Sequence, residues 1–516
     1  MTQKLTVTIL LILLVGVVYR LVLTSNGNFL FNMDNAQNMV EVREMVVLHK
    51  LRLTGGESAI RGFFYGPAWY YLLAIPFILS HGDPYASILM EIGLWAVGGF
   101  FLLKLVSKWG GWLVFPVGAI WVASDYIVLA NRYAFSPNPV ILLSPVFIYL
   151  LVEYLKKRRA VYIISAWFLA GLFFNFEMNF GMFTPLVIVA SIVLTKNIQI
   201  LRQKWFWVGA MFFIFTLLPQ VIFDFKHQFI MSQAILRHFS EDSGSSLNVL
   251  ARFQIVASNF YKTFLPILMN HTIFTWIVLA SFVPVIYGFI KTKQKEVVTY
   301  VSITLIFLPF FMFLVLHVQV SPWHLGGEMA AALILVAFLL KKLRDAGVVG
   351  KFISTTLSVS IIGFALSGIS NSLTNEIGKP SPEHSLYRNE ISAIDYVYKY
   401  ATGQNFKAYA YLPSVYDYPY QYLFWWYGQK KYGYLPMDYA YAPNKPPYIP
   451  GKESFSETAQ SFKQRKNSNL VFLIKEPNRD YTRFGWEGDF VNLESIGKQM
   501  VGPIEIEIKK ELEIKN

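Results

Sequence analysis

The apolar residues of this chain are gathered into long blocks. A helix that crosses a bilayer needs about 20 consecutive, mostly apolar residues. Eleven blocks approach that length and predict a mainly α, polytopic membrane helix bundle; they lie at 6–23, 86–103, 112–130, 138–155, 161–176, 180–195, 205–222, 272–290, 297–316, 325–340 and 352–370. No small-residue cleavage site follows the first block, so we interpret it as a retained span and not as a signal peptide.

Polar stretches separate the blocks, and two of them, 24–85 and 223–271, are unusually long. Long ordered loops usually carry function. In the first loop, apolar positions at helical spacing predict an amphipathic helix over 38–49, suited to the membrane interface. The second loop begins at the end of an apolar block and contains Lys and His.

The composition changes after residue 370, where no apolar block of spanning length remains. Helical periodicity and strand-like stretches predict a small C-terminal α/β domain, with a helix at 390–401 and strands at 407–412, 470–475 and 504–514. We therefore expect two domains, 1–370 and 371–516. Of the 30 Tyr in the chain, 17 lie in the second domain, where they either form an aromatic binding surface or fill an ordinary core.

The overall composition supports a membrane protein. The chain is 54% hydrophobic and only 15% charged, whereas soluble domains average about 25% charged residues. This apolar content excludes a disordered chain, and the ordinary Gly content excludes a collagen-like one. The absence of Cys excludes disulfides, Cys-ligated zinc and a thiol nucleophile.

The net charge of +13 would suggest a nucleic-acid partner in a soluble protein. Here the basic residues occupy alternate loops, with 17 Lys and Arg against three acids, and the positive-inside rule places those loops in the cytoplasm. They are Lys4, Lys104, Lys108, Lys156, Lys157, Arg158, Arg159, Lys196, Arg202, Lys204, Lys291, Lys293, Lys295, Lys341, Lys342, Arg344 and Lys351. The charge therefore indicates orientation, with the N-terminus cytoplasmic, both long loops and the C-terminal domain outside, and no nucleic acid bound.

The candidate chemistry lies in the loops predicted to be external. Asp34 stands just before the predicted helix 38–49, where a carboxylate is favoured by the helix dipole; it is either a cap only or a catalytic base. Arg132, at the end of a block, is either a headgroup anchor or a phosphate clamp. Lys226 and His227 either face an anionic ligand or are simply solvated. Glu177, between two apolar segments, needs a partner or solvent.

Taken together, these residues resemble the GT-C superfamily of glycosyltransferases, in the branch of protein O-mannosyltransferases and lipid A aminoarabinose transferases. The order and spacing of the motifs carry the resemblance across 1–370, and the match is looser over 371–516. The matching stretches are Asp34-Asn35-Ala36-Gln37, Val42-Arg43-Glu44-Met45, Thr54-Gly55-Gly56-Glu57-Ser58, Phe64-Tyr65-Gly66-Pro67 through Tyr70-Tyr71, Arg132 through Asn138-Pro139, Phe223-Asp224-Phe225-Lys226-His227-Gln228-Phe229, and His324.

The resemblance implies an integral-membrane enzyme that transfers a monosaccharide, such as mannose or a related hexose, from a polyprenyl-phosphate carrier to an extracytoplasmic glycan, lipid or protein acceptor. It implies Asp34 as the base or orienting group for the acceptor hydroxyl. Cationic or hydrogen-bonding groups would bind the donor phosphate: Arg132, Lys226, His227 and His324. Supporting roles fall to Gln37, Arg43, Tyr65, Tyr70, Asn138, Glu177 and Asp224.

This sequence departs from the family pattern at three positions. Asn35 replaces a frequent second acid, Gln37 replaces a frequent Arg, and Asn138 stands where some relatives have an acid. These changes leave few oxygen ligands for Mg²⁺ or Mn²⁺, so we expect no required cofactor; if a divalent cation bound, Asp34 would be its ligand.

Two other functions stay open at this point. A transporter or flippase for a lipid-linked sugar would place ionisable residues inside its spans, and few are found there. A non-catalytic scaffold of an envelope-glycan complex would not need Asp34. In each case we expect a multi-pass protein of the cell membrane.

Overall fold

The computed structural model describes residues 2–58, 60–241, 248–268, 271–291, 296–316, 320–443, 467–477 and 482–511. Lys293 and Lys295 of the basic set and residues 512–514 of the last predicted strand lie outside these ranges. The first eleven helices are α1 (Gln3–Thr24), α2 (Met33–Val47), α3 (Ala68–Ser80), α4 (Pro84–Val106), α5 (Val114–Ala123), α6 (Asp125–Ala130), α7 (Asn138–Lys157), α8 (Ala160–Phe176), α9 (Met178–Gly181), α10 (Thr184–Leu194) and α11 (Lys204–Lys226).

Ten further helices and five strands follow. The helices are α12 (Ile230–Glu241), α13 (Val249–Phe264), α14 (Thr272–Lys291), α15 (Val297–Val315), α16 (Met329–Asp345), α17 (Val348–Glu376), α18 (Tyr387–Ala401), α19 (Tyr418–Leu423), α20 (Gln429–Tyr432) and α21 (Arg483–Glu487). The strands are β1 (Asn405–Tyr411), β2 (Asp438–Ala440), β3 (Asn467–Lys475), β4 (Glu494–Val501) and β5 (Ile504–Lys510).

Within the described ranges, seven helical segments are long and apolar enough to cross a membrane: Gln3–Gly27, Pro84–Trp109, Asn138–Lys157, Lys204–Lys226, Val297–Val315, Pro322–Asp345 and Val348–Glu376. The bent pair Val249–Ile267 and Thr272–Tyr287 adds an eighth if it is one span. The sequence predicted about eleven spans, of which 161–176 and 180–195 are short and form either two spans or one broken region; seven segments, or eight with the bent pair, meet this criterion of length and apolar content. The other three predicted blocks form shorter apolar helices, because Ser124 and Glu177 adopt extended backbone conformations that interrupt them.

Contacts divide the chain into two compact units. Unit 1 comprises Met1–Val22, Leu51–Leu72 and Leu89–Ser372, and unit 2 comprises Leu23–Lys50, Leu73–Ile88 and Leu373–Asn516. Two pieces of the first long loop therefore pack with the C-terminal residues and not with the rest of the loop. Asp34 lies in one of these pieces.

Unit 1 is a helical bundle in which burial separates inner from outer helices. The apolar window of α7 is 83% buried and that of Pro322–Asp345 is 89% buried, whereas that of α11 is only 17% buried. A helix that is apolar on its exposed face suits a lipid environment. α7 and α16 are therefore the core helices, and α11 presents its Phe, Ile and Trp side chains outward.

Unit 2 contains a five-stranded sheet in the order β2-β1-β3-β5-β4. β1 pairs in parallel with β2 and β3, while β5 pairs antiparallel with β3 and β4. The alternation Ile-Glu-Ile-Glu-Ile of β5 places its isoleucines on the buried face, as period-two patterning predicts. Seven described tyrosines of this Tyr-rich region are buried and contribute to its core: Tyr398, Tyr409, Tyr411, Tyr420, Tyr422, Tyr434 and Tyr439.

The segment 23–50 joins unit 2 through backbone bonds and aromatic contacts. Leu30 forms an antiparallel β-bridge with Leu386. The Phe31 amide donates to the Ser385 carbonyl oxygen at 2.8 Å. Phe29 stacks on Tyr387 with ring centroids 4.7 Å apart. These contacts hold the start of α2 against the C-terminal part of the chain.

Candidate active site

Asp34 lies in the first turn of α2, which begins five residues before the predicted start of the helix. The helix is capped by Asn32, whose side-chain oxygen accepts from the backbone amides of Asp34 at 3.0 Å and Asn35 at 3.4 Å. The capping role considered for Asp34 therefore belongs to Asn32.

A cavity of about 350 Å³ lies inside unit 2 beside Asp34. Its wall combines the start of α2 with residues from the loop before α18, from α18 itself and from the loops after β1 and β3. The lining residues are Leu30, Asn32, Met33, Asp34, Glu383, His384, Ser385, Glu390, Leu412, Pro413, Ser414, Pro419 and Glu476. Four carboxyl groups and one imidazole line it, and none of these described lining residues is Lys or Arg.

Hydrogen bonds order one side of this cavity. His384 Nε2 lies 3.3 Å from Glu476 Oε2, and its Nδ1 lies 3.6 Å from Glu383 Oε1. The Tyr420 hydroxyl donates to Glu476 Oε1 at 3.3 Å. Glu476 is 2% exposed, so its hydroxyl and imidazole partners offset its loss of water.

Glu390 differs from its neighbours in the cavity wall. It is fully buried, and among the described residues neither of its side-chain oxygens has a hydrogen-bond partner. Burial raises the pKa of Glu390 well above its usual value, and the nearby Glu476 and Glu383 add to the effect. Burial therefore favours the protonated form of this carboxyl group, which has one O–H donor and one carbonyl acceptor.

Gln37 and Arg43 continue along α2. Gln37 is half-buried. Arg43 is 2% exposed, and its guanidinium carbon lies 5.0 Å from the centroid of the Trp425 ring. Burial lowers the pKa of Arg43, with nearby Tyr and Glu side chains acting in the opposite direction. Arg43 is thus a packed cation inside unit 2, in a cation–π arrangement.

Glu177 belongs to a buried polar cluster in unit 1. It occupies the N-cap of α9, where its Oε1 accepts from the Asn179 amide at 3.1 Å. Burial raises the pKa of Glu177 to about 8, although bonds from Asn179 oppose the shift. The sequence predicted that this carboxylate needs a partner or solvent. Its partner is the Asn179 backbone amide in the helix that Glu177 caps.

His324 extends the same cluster. The Ser321 amide donates to His324 Nδ1 at 3.2 Å, and His324 Nε2 lies 3.1 Å from the side-chain amide of Asn179. Since Nδ1 accepts, the proton of a neutral ring sits on Nε2, and the Asn179 oxygen must face it. Both ring nitrogens are thus engaged within unit 1.

Tyr65 lies beside this cluster in a short hairpin. Its amide donates to the Gly56 carbonyl oxygen at 2.9 Å, and burial, followed by the charge of Glu177, raises the pKa of its hydroxyl. At Gly66, a Cβ would fall 1.8 Å from Asn175 Oδ1, so only glycine allows this approach. Tyr70 is buried in α3.

The end of α11 carries three predicted site residues with different environments. Asp224 caps α12, since its Oδ1 accepts from the Met231 amide at 2.7 Å and its Oδ2 from the Ser232 hydroxyl at 2.5 Å. His227 is exposed and stacks on Phe223 with centroids 4.0 Å apart. Lys226 is exposed. Asp224 thus holds the turn that presents Lys226 and His227.

Arg132 and Asn138 share the turn between α6 and α7. The Asn138 side-chain amide donates to the Ala130 carbonyl oxygen at 3.0 Å and to that of Tyr133. These bonds tie the turn closed at its two ends. Arg132 is half-buried within it.

The predicted site residues therefore fall into two sets. Unit 1 brings Tyr65, Glu177 and His324 together, and unit 2 holds Asp34, Gln37 and Arg43. The sequence missed the rest of the cavity wall in unit 2, although His384 is the only His after residue 370 and follows an acid directly. Among the described residues, no group of three His, Asp or Glu side chains is arranged to hold a metal ion.

The architecture defines a polytopic membrane protein with a small C-terminal α/β region, and solved structures share it. No family model matches the chain, and no curated protein matches it. Two crystal structures of ArnT from Cupriavidus metallidurans cover 98% of this chain and 98% of their own, at 10% identity. The structure bound to undecaprenyl phosphate has a TM-score of 0.59, and the apo structure 0.54. The chain is therefore similar in fold to these ArnT structures over nearly its whole length.

Proposed function

We propose that this protein is an integral-membrane glycosyltransferase that moves a monosaccharide from a polyprenyl-phosphate carrier to an acceptor outside the cytoplasm. The observation that carries the proposal is the likeness to ArnT over 98% of both chains, including a structure that holds undecaprenyl phosphate. A fold alone does not define an activity. The polar cavity beside Asp34 adds a place where such chemistry has suitable groups.

In the proposed reaction, an acceptor hydroxyl oxygen attacks the anomeric carbon of the donor sugar. The bond between that carbon and the phosphate oxygen breaks, and the polyprenyl phosphate leaves with the electron pair. Asp34 takes the proton of the attacking hydroxyl, as a general base must in a displacement with inversion. The sugar we propose is a hexose such as mannose, on the resemblance to mannosyltransferases.

The leaving phosphate needs positive charge or hydrogen-bond donors. We propose Arg132, Lys226, His227 and His324 as its ligands. Exposure of Lys226 and His227 supports this assignment, since both side chains can reach a headgroup. His324 would donate to the phosphate through Nε2 in place of its present contact with Asn179.

The test is the Asp34→Asn variant of the full-length protein in membranes that contain a labelled polyprenyl-phosphate hexose. We expect transfer to fall about 10²- to 10⁴-fold, the usual contribution of a general base. The matched control is Glu41→Gln, which removes a carboxylate from the same helix outside the cavity lining. Undiminished transfer by Asp34→Asn would remove the base assignment, and movement of the intact carrier across the membrane without transfer would favour a flippase.

A further inference from the structure

We infer that the cavity of unit 2 is a subsite for a hydroxyl-rich ligand without negative charge, such as a pyranose ring. That this ligand is the acceptor rests on the proposed function; that it is a polyol without negative charge rests on the cavity alone. The inference names the class of acceptor, which the fold leaves open.

The charge of the wall selects against anions. Asp34, Glu383, Glu390 and Glu476 offer mainly hydrogen-bond acceptors, and none of the described lining residues is Lys or Arg. A phosphate or carboxylate entering this space would meet the like charge of these acidic side chains. Sugar hydroxyls are donors, and a carboxylate accepts from them at good geometry.

Glu390 supports the interpretation of this cavity as a ligand site. Its carboxyl group is fully buried and lines the cavity, yet neither oxygen meets a hydrogen-bond partner among the described residues. Burying such a group without a hydrogen-bond partner costs free energy, and no described residue offsets this cost. A ligand with adjacent hydroxyls would satisfy both of its oxygens.

The rest of the wall suits the apolar face of a sugar ring. Leu30, Met33, Leu412, Pro413 and Pro419 contribute aliphatic surface between the polar groups. A volume of about 350 Å³ lies at the lower end of the range for small-molecule sites. Glu476, already fixed by His384 and Tyr420, would present its carboxylate in a set direction.

The experiment compares Glu390→Leu with Glu390→Gln in the full-length protein reconstituted in nanodiscs. The probes are methyl hexopyranosides, hexose 6-phosphates and methyl glycosides of hexosamines, with dissociation constants measured by ligand-detected NMR. We expect neutral glycosides to bind, hexose phosphates to bind at least about tenfold more weakly, and Glu390→Leu to lose about tenfold in glycoside affinity. Glu390→Gln keeps a donor and an acceptor and should restore most of the binding.

Two further measurements separate a ligand site from a structural role. Because Leu removes an unsatisfied polar group, the thermal unfolding midpoint of Glu390→Leu should equal or exceed that of the wild type. Binding of polyprenyl phosphate, the donor-side readout, should be unchanged. Glu494→Leu, a change at an exposed glutamate of β4, is the control for both.

The possible outcomes are distinct. The inference is overturned if neither the neutral glycosides nor the hexosamine glycosides bind the wild type, if Glu390→Leu binds them equally well, or if hexose phosphates bind as tightly as these glycosides. Glycoside binding in a protein that transfers no sugar would refute the proposed function and leave the polyol subsite standing. Sugar transfer without glycoside binding would refute the polyol subsite and leave the proposed function standing.

Discussion

Unit 2 contains two acid-rich clusters with opposite designs. In the first, on the sheet, Lys475 Nζ lies 2.5 Å from Glu507, 2.7 Å from Glu487 and 3.4 Å from Glu505. In the second, the cavity beside Asp34, Glu390 has no hydrogen-bond partner among the described residues. Buried charges that are fully paired hold a structure together, whereas a buried acid facing open space indicates a place for a ligand.

The largest expected effect on stability comes from breaking the paired cluster. Lys475 is 1% exposed, so Lys475→Met leaves its three glutamates without their shared cation. Removing one partner of a buried pair costs about 3–5 kcal/mol. Thermal unfolding of the detergent-solubilised full-length protein, followed by Trp fluorescence, should show a clearly lowered midpoint.

Lys498→Met is the matched control for this change. Lys498 is 60% exposed and its Nζ lies 3.8 Å from the same Glu507. An exposed pair contributes about 0–1 kcal/mol, so its loss should move the midpoint little. Equal effects of the two substitutions would show that the cluster is not the structural element we describe.

The pH dependence of stability should also separate the clusters. Burial alone would raise the pKa of Glu507, but hydrogen bonds from Lys475 outweigh it and hold the pKa below its usual value of 4.5. This contribution is present above pH 4.5 and is lost as the pH falls through the lowered pKa. Glu390 has a raised pKa, so its ionisation destabilises the folded state: with respect to this group, stability is highest below pH 4.5 and falls as the pH rises through that raised value.

Unfolding midpoints measured across pH in the wild type and in Glu390→Leu test this contrast. In Glu390→Leu, the unfolding midpoint should fall less toward high pH than in the wild type. Its fall toward low pH should be unchanged. If Glu390→Leu instead removes the fall of the midpoint at low pH, the assignment of paired and unpaired acids to the two clusters is wrong.

The smallest expected effect concerns the ordered side of the cavity. Tyr420→Phe removes the hydroxyl that donates to Glu476 at 3.3 Å. We expect a loss of about 0.5–1.5 kcal/mol, measured by the same unfolding assay. Tyr400→Phe, at a tyrosine that is 42% exposed, should change the midpoint much less.

Patterning predicted the elements of this fold better than their limits. The alternation after Ile504 and the apolar blocks have direct physical periods, so β5 and the long helices were confirmed. The helix that carries Asp34 was predicted to start at residue 38, because the apolar periodicity begins there. Asn32 is the true N-cap. The residues between Asn32 and residue 38 are mostly polar and show no apolar periodicity that would mark a helix.

The cavity wall could not be predicted for a different reason. Asp34 and Glu390 are separated by nearly the whole membrane part of the chain, and long-range contacts such as the pairing of Leu30 with Leu386 bring their segments into one unit. Such a long-range pairing leaves no local signal. The candidate residues of unit 1, in contrast, stand at helix ends and loops where polar residues interrupt apolar blocks, which is why Glu177 and His324 were singled out.

The same pairing has a consequence for biosynthesis. Leu30 leaves the ribosome early, but its bridge partner Leu386 is made only after every predicted span. The segment with Asp34 can therefore complete its fold only after the whole helical bundle has been synthesised. A chain that stops short of residue 386 lacks the wall around Asp34, so an unfinished molecule cannot contain the completed cavity.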